Sequence, residues 1–291
     1  MPATNAILPR VVEESEILRA NSFISVMNET VQLGGWALGG LLVALVGGQN
    51  VIWLTFTLFI ISTMMMLWIV DETPFYVKNE KRRTVEELKE GWLMIWRTPL
   101  FRSIHVVICI EAVANVVWVA AILYIFVYEV LHVTEAWWGY INTAFFSGLI
   151  LGGLVCSRFS ATIEKNMRKT VVYSSFGVSV VTVLFGLNSI AWIALILVVL
   201  SGLIDQMKGI TIHTYLQKEA SAEDLPKIYS AQHAMISLVF GFSTLLFGGI
   251  VEYTNAQIAF IVAGILLVSS GIYLLTTQNR FPAHYLMERK K

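Results

Sequence analysis

Apolar runs, most of them close to 20 residues long and separated by short polar segments, account for most of the chain. A helix needs about 20 mainly apolar residues to cross the hydrocarbon core of a bilayer. The pattern therefore predicts an all-α membrane protein with eight transmembrane helices. The predicted spans cover residues 23–47, 51–70, 103–128, 138–158, 170–187, 190–216, 230–252 and 257–277.

The segment between the second and third spans has a different pattern. It is polar, but it contains apolar residues at helical spacing, which predicts an amphipathic helix over 84–98 at the membrane surface. The apolar positions are Val85, Leu88, Trp92 and Ile95.

This segment divides the chain into three parts. We expect an N-terminal part of two spans over 1–72 and a cytoplasmic linker with the amphipathic helix over 73–99. A C-terminal part of six spans follows over 100–291.

The composition excludes whole classes of protein. Hydrophobic residues make up 56% of the chain and charged residues only 14%, against about 25% charged residues in soluble domains. So few polar residues cannot cover the surface of a soluble protein, which excludes a soluble enzyme, a disordered chain and a nucleic-acid-binding protein. The lipid bilayer is the expected partner, and no nucleic acid is expected to bind.

The Lys and Arg residues predict how the spans are oriented. If both termini are cytoplasmic, each of the 20 Lys and Arg residues except Lys208 lies in a cytoplasmic segment or at a cytoplasmic span end. Positive charge concentrates on the cytoplasmic side of membrane proteins. We therefore expect a multi-pass protein of the cell membrane with both termini inside.

Ionisable side chains occur within three of the predicted spans. Such a residue costs at least about 2.5–3.5 kcal/mol in mid-membrane, which makes it a functional candidate. Glu111 and Asn115 lie on one face of the third span, Asp205 and Lys208 lie three residues apart in the sixth, and Glu29 lies in the first. These five residues are the candidates for transport or coupling.

Each candidate also has a structural interpretation. Glu111 either carries a proton or hydrogen-bonds to a neighbouring helix and holds the two helices together. Asp205 and Lys208 either neutralise each other or separate when one of them binds a proton or substrate. Glu29 either lines a cavity or contacts another helix.

Small residues predict close helix packing in two spans. Gly35, Gly39 and Gly40 lie in the first span, and Gly148 and Gly152 lie in the fourth. The sequence contains no nucleotide-binding motif and no metal-ligand cluster, so we expect no cofactor, no metal and no catalytic residues.

A weak internal repeat relates the first two spans to the last two. Residues 18–22 precede the Gly39-Gly40 pair, and residues 226–230 precede Gly248-Gly249 at nearly the same offset. Transporters are often built from repeated halves. The offset leaves spans three to six without counterparts, which predicts four further spans ahead of the chain.

Three segments resemble a known family. Gly-Trp-Ala-Leu-Gly-Gly at 35–40 resembles its fifth-span antiporter motif G-P-x-x-G-G, with Trp36 where proline is usual. Segment 7–22 looks like its loop between spans four and five, and segment 214–227 resembles its loop after span ten. The resemblance is to the drug-antiporter branch of the major facilitator superfamily, the macrolide-efflux and enterobactin-exporter-like group.

The resemblance implies a twelve-helix fold in which this chain supplies spans 5–12. Spans 1–4 would be lost or lie on another chain. The implied function is secondary active transport, specifically proton-coupled efflux of a drug-like or amphipathic small molecule, with no enzyme activity. The alternative is a non-transporting fragment of such a transporter, because alternating access needs both halves.

Overall fold

Helices form at all the predicted spans in the computed structural model. The structure describes residues 7–9, 11–67, 84–134 and 136–282, apart from the side chains of residues 36–41, 44, 66, 67, 84–88 and 120. No strand occurs within these ranges. The helices are α1 (Ile17–Val46), α2 (Gly48–Leu67), α3 (Thr84–Arg97), α4 (Pro99–Ala114), α5 (Ala120–Glu129), α6 (Ala136–Arg158), α7 (Ser160–Lys165), α8 (Met167–Leu187), α9 (Ala191–Glu219), α10 (Leu225–Tyr253) and α11 (Ala256–Thr277).

Seven helical stretches in the described part of the chain are long and apolar enough to cross a membrane. The stretches are Gly48–Met65, Pro99–Trp118, Ala136–Arg158, Met167–Leu187, Ala191–Glu219, Leu225–Tyr253 and Ala256–Arg280. The remaining predicted span, 23–47, lies in α1, which has 30 residues and is therefore about 45 Å long. The all-α, multi-pass prediction is confirmed.

The third predicted span is not one continuous helix, which corrects the sequence-based expectation. α4 ends at Ala114, a 3₁₀ turn covers Asn115–Trp118, and Val119 is extended at φ −70° and ψ 147°. α5 then begins at Ala120. Valines around the interruption have restricted χ1 angles and a lower helix propensity. Trp118 packs against the rings of Phe185 and Phe260, at centroid distances of 4.8 and 5.1 Å.

Gly47 alone connects α1 to α2. Its φ of +81° lies in the left-handed region that favours glycine, and its N–H donates to the Val43 carbonyl at 3.0 Å. α1 packs against α6 and α9 as well as α2. None of Gly48–Met65 is buried within the protein.

The predicted amphipathic helix forms as α3, and it packs against α10 and α4. Ile95 is buried, and Trp92 packs against the same apolar cluster. Glu90 forms an ion pair with Lys227 on α10 at 3.0 Å. Val85 and Leu88 lie outside the described side chains, and the predicted boundary of the linker at 72–73 lies outside the described residues.

α6 and α9 approach each other at glycines. A Cβ atom at Gly148 or Gly152 would clash with backbone atoms of α9, and one at Gly202 would clash with the backbone of α6. The predicted close packing at Gly148 and Gly152 is therefore confirmed. Gly35 has no such neighbour within 4 Å, and the surroundings of Gly39 and Gly40 lie outside the described side chains.

The core of the bundle consists of two apolar clusters at different depths. One contains Val107, Ile210 and Leu274, and the other contains Ala114 and Leu267. On α4 and α11, the polar residues of the candidate site lie between members of the two clusters. The site therefore lies near the middle of the bundle.

Candidate functional site

Lys208 bridges two carboxylates in the middle of the bundle. Its Nζ lies 3.1 Å from Glu111 Oε2 on α4 and 3.0 Å from Asp205 Oδ1 on its own helix, α9. Ser270 on α11 donates a hydrogen bond of 3.1 Å from Oγ to Glu111 Oε1. The network therefore joins three helices.

The members of this network differ in exposure. The side chains of Lys208 and Glu111 are 4% and 10% exposed, whereas that of Asp205 is 34% exposed. Asp205 is thus the member that solvent or a solute can reach most easily, and Glu111 lies behind Lys208. Lys208 therefore connects an accessible carboxylate, Asp205, with a buried one, Glu111.

The network has an excess of one negative charge when all three groups are ionised. Asp205 and Glu111 each contribute one negative charge, and Lys208 contributes one positive charge. Charge is expensive within a bilayer, and a buried pair needs good geometry and further hydrogen bonds to offset its desolvation. A proton or a cationic group arriving at the network would remove the excess.

Asn115 lies at the end of α4, one helical turn beyond Glu111. Its N–H donates to the Glu111 carbonyl, and it begins the 3₁₀ turn that interrupts the predicted span. The structure therefore brings Glu111, Asp205 and Lys208 together, and it places Asn115 at the helix interruption beside them.

Glu29 on α1 lines a cavity of about 220 Å³ between α1 and α9. It lies close enough to Asp205 for the two carboxylates to interact electrostatically. The lining residues are Asn21, Ile24, Ser25, Asn28, Glu29, Gln206, Gly209, Ile210 and His213. Glu29 is therefore a neighbour of the ion network without being a member of it.

Polar contacts connect α1 to α9 at one end of this cavity. Asn21 donates from Nδ2 to Gln217 Oε1 at 2.5 Å and to Thr214 Oγ1 at 3.1 Å. Lys218, the residue after Gln217 on α9, forms a buried ion pair with Glu164 on α7. The Asn21 contacts hold the polar face of α1 against α9, and the ion pair joins α9 to α7.

The sequence alone does not single out Ser270 or Gln206, and it indicates His213 only as a polar residue near the cytoplasmic end of the sixth span. Ser270 gives no signal because serines are common in membrane helices, and its contact with Glu111 depends on how α4 and α11 pack. Gln206 and His213 are polar residues within the sixth predicted span, and that polarity was the available signal. In the described part of the chain, no His, Cys, Asp and Glu residues are grouped to hold a metal ion.

The chain is similar to a known family of membrane transporters and to individual proteins named as members of it. Residues 1–224 match the Major Facilitator Superfamily. The uncharacterized MFS-type transporter YjbB of Bacillus subtilis (strain 168) is 31% identical over 293 residues, covering 99% of this chain and 70% of that protein. The uncharacterized MFS-type transporter YfmI of the same organism is 29% identical over 273 residues, covering 94% of this chain and 67% of that protein.

No solved structure is significantly similar to this chain. The family match covers most of the chain, and both relatives align along nearly its whole length. The family match and the transporter relatives indicate a transporter and not an enzyme. The chain belongs to the major facilitator superfamily.

Proposed function

We propose that the protein is a proton-coupled secondary transporter that exports a drug-like or amphipathic small molecule, as a member of the drug-antiporter branch. The observation that carries the proposal is the network of Glu111, Lys208 and Asp205, which has one excess negative charge among membrane-spanning helices. Neither carboxylate has a Lys or Arg of its own in the network, because both share Lys208.

Sharing one cation gives the network two arrangements. With both carboxylates ionised, Lys208 holds α4 against α9. A proton on Glu111 weakens its attraction to Lys208, so the lysine pairs with Asp205 on its own helix and the contact between α4 and α9 loosens. Such an exchange of ion pairs links proton binding to helix movement, which alternating access requires.

The proposal places the protein in the cell membrane with both termini in the cytoplasm. The distribution of Lys and Arg supports this orientation. We further propose that helices equivalent to spans 1–4 of the family complete the transport path, on a longer chain or on another chain. The chain spans about two thirds of the length of YfmI and YjbB, which supports this arrangement.

Reconstitution into liposomes of the chain completed by helices equivalent to spans 1–4 tests the proposal, and the 291-residue chain alone is expected not to transport. With a proton gradient and a panel of fluorescent amphipathic dyes, we expect dye movement that stops when the gradient is collapsed. Asp205→Asn should reduce that movement without reducing the amount of protein in the liposomes. The matched control is Glu252→Gln, at an exposed acid near the end of α10, which should transport normally.

Two outcomes would contradict the proposal. Dye movement that ignores the gradient would exclude proton coupling. No dye movement by folded, inserted protein would favour the alternative, a non-transporting fragment of a transporter.

A further inference from the structure

The cavity between α1 and α9 is small and mostly polar. At about 220 Å³ it is below the roughly 300–1,000 Å³ typical of pockets that bind small molecules. It has room for several water molecules, each of which occupies about 30 Å³ in the liquid. Water is therefore a better occupant for it than a drug-like substrate.

The lining offers hydrogen-bonding groups that the protein itself does not use. The Gln206 residue is only 9% exposed, lines the cavity and has no hydrogen bond to a described residue. Nδ1 of His213, also in the lining, is buried and has no hydrogen-bond partner among the described residues. Buried polar groups are normally satisfied by protein or by ordered water, so these groups point to water in the cavity.

The charged and titratable groups around Glu29 come from α9. Asp205 interacts with it electrostatically, and His213 lies in the same lining. The other helices against which α1 packs, α2, α6 and α7, contribute no described residue to that lining. Glu29 therefore lies in the polar lining of the cavity, and the Asp205 carboxylate of the ion network is near enough to interact with it electrostatically.

We propose that the α1–α9 cavity is a hydrated proton chamber in which the Glu29 carboxylate accepts a proton from water and passes it to Asp205. The proton leaves a hydronium ion, binds to a Glu29 oxygen, and moves to an Asp205 oxygen directly or through a chamber water, which restores ionised Glu29. This inference rests on the proposed proton coupling. It adds a second carboxylate, Glu29, on the route from the cavity to the ion network.

Infrared difference spectroscopy on the 291-residue chain in lipid nanodiscs tests the role of Glu29. The carboxylic-acid C=O band that appears on acidification should lose one component in Glu29→Gln. Internal carboxyl groups give components of this band that shift when H₂O is replaced by D₂O. The Glu252→Gln control should keep all of these components.

A second variant tests the chamber without touching a charged residue. Gly209 lines the cavity, and a Cβ atom there would meet nothing within 4 Å. Gly209→Leu should therefore fill the cavity and slow the D₂O shift of the Glu29 band. Gly248→Leu on α10 is the matched control, because that glycine also has open space around it, and it should leave the exchange rate unchanged.

The outcomes separate this inference from the transport proposal, because the measurement needs no transported solute. If Glu29→Gln keeps the full band, or if Gly209→Leu exchanges as fast as the unmodified protein, the proton chamber is wrong while proton-coupled transport can still hold. A Glu29 band that responds to sodium at constant pH would also overturn the proton assignment. If the band behaves as expected but dyes do not move, the chamber stands and the transport proposal fails.

Discussion

Lys208 is the residue on which the site depends. It is the cation of the ion network, and its Nζ lies within 3.1 Å of carboxylate oxygens on both α4 and α9. Removing one partner from a buried ion pair is strongly destabilising, because the remaining charge loses its compensation. Lys208 therefore stabilises the bundle in addition to any part it has in coupling.

Replacing Lys208 by Met should lower the free energy of unfolding by about 3–5 kcal/mol, since Glu111 and Asp205 would then face each other without a cation. Adding Glu111→Gln should restore part of that loss, because it removes one of the two carboxylates and leaves a side chain that still accepts a hydrogen bond from Ser270. Equilibrium unfolding in mixed micelles, followed by tryptophan fluorescence, measures both variants. A double variant no more stable than Lys208→Met would show that the two residues are not coupled.

The sequence predicts the three charged residues of the network but only some of the contacts between them. The contact between Asp205 and Lys208 follows from their i, i+3 spacing on one helix. The contact between Lys208 and Glu111 depends on the relative register of α4 and α9, and no local spacing encodes that register. The hydrogen bond from Ser270 to Glu111 likewise depends on the relative register of two helices, α11 and α4, so the sequence does not predict it.

Among the helices, the pair α6 and α9 shows how far local patterns determine packing. The Gly148 and Gly152 spacing predicted a close contact, and both glycines face the backbone of α9. The interruption after α4 was not predicted, because apolar residues continue through Asn115–Trp118 and hydropathy does not distinguish a broken helix from a continuous one. The contacts of Trp118 with Phe185 and Phe260, which are distant in sequence, stabilise the interruption.

A larger side chain at the α6–α9 contact should disrupt the bundle. Gly202→Leu would place atoms against the Phe145 carbonyl, and overpacking of this kind costs about 1–3 kcal/mol. Thermal unfolding of the purified protein should show a lower Tm for Gly202→Leu than for Gly248→Leu, whose site is open. Equal Tm values for the two variants would mean that the helices separate without cost.

At the scale of the whole molecule, hydropathy predicted the membrane-spanning helices. The length of the apolar runs predicted the helices, because each must satisfy its backbone internally to cross a bilayer. The packing of α1 on α6 and α9 could not be predicted from hydropathy. Membrane helices associate through the packing and hydrogen bonds of particular side chains, and a hydrophobic pattern does not encode these contacts.

The orientation of the bundle is directly testable. A reporter fused after Lys169 or after Lys291 should be cytoplasmic, and one inserted near Asn188 should be exposed outside, because the outer connections have no Lys or Arg. A reporter enzyme that is active on only one side of the membrane distinguishes a cytoplasmic location from an external one. A cytoplasmic result near Asn188 would mean that α8 and α9 do not cross the membrane as two separate spans.

The central claim is that the buried carboxylate of the network carries the coupling proton, and one comparison in liposomes tests it most directly. The unmodified chain and Glu111→Gln, each completed by helices equivalent to spans 1–4, are assayed for dye movement driven by a proton gradient and for dye exchange at equal pH on both sides. We expect Glu111→Gln to lose the gradient-driven movement and to keep the exchange, because glutamine resembles the protonated carboxyl but has no proton to release. Gradient-driven movement at the unmodified rate in Glu111→Gln would contradict the claim.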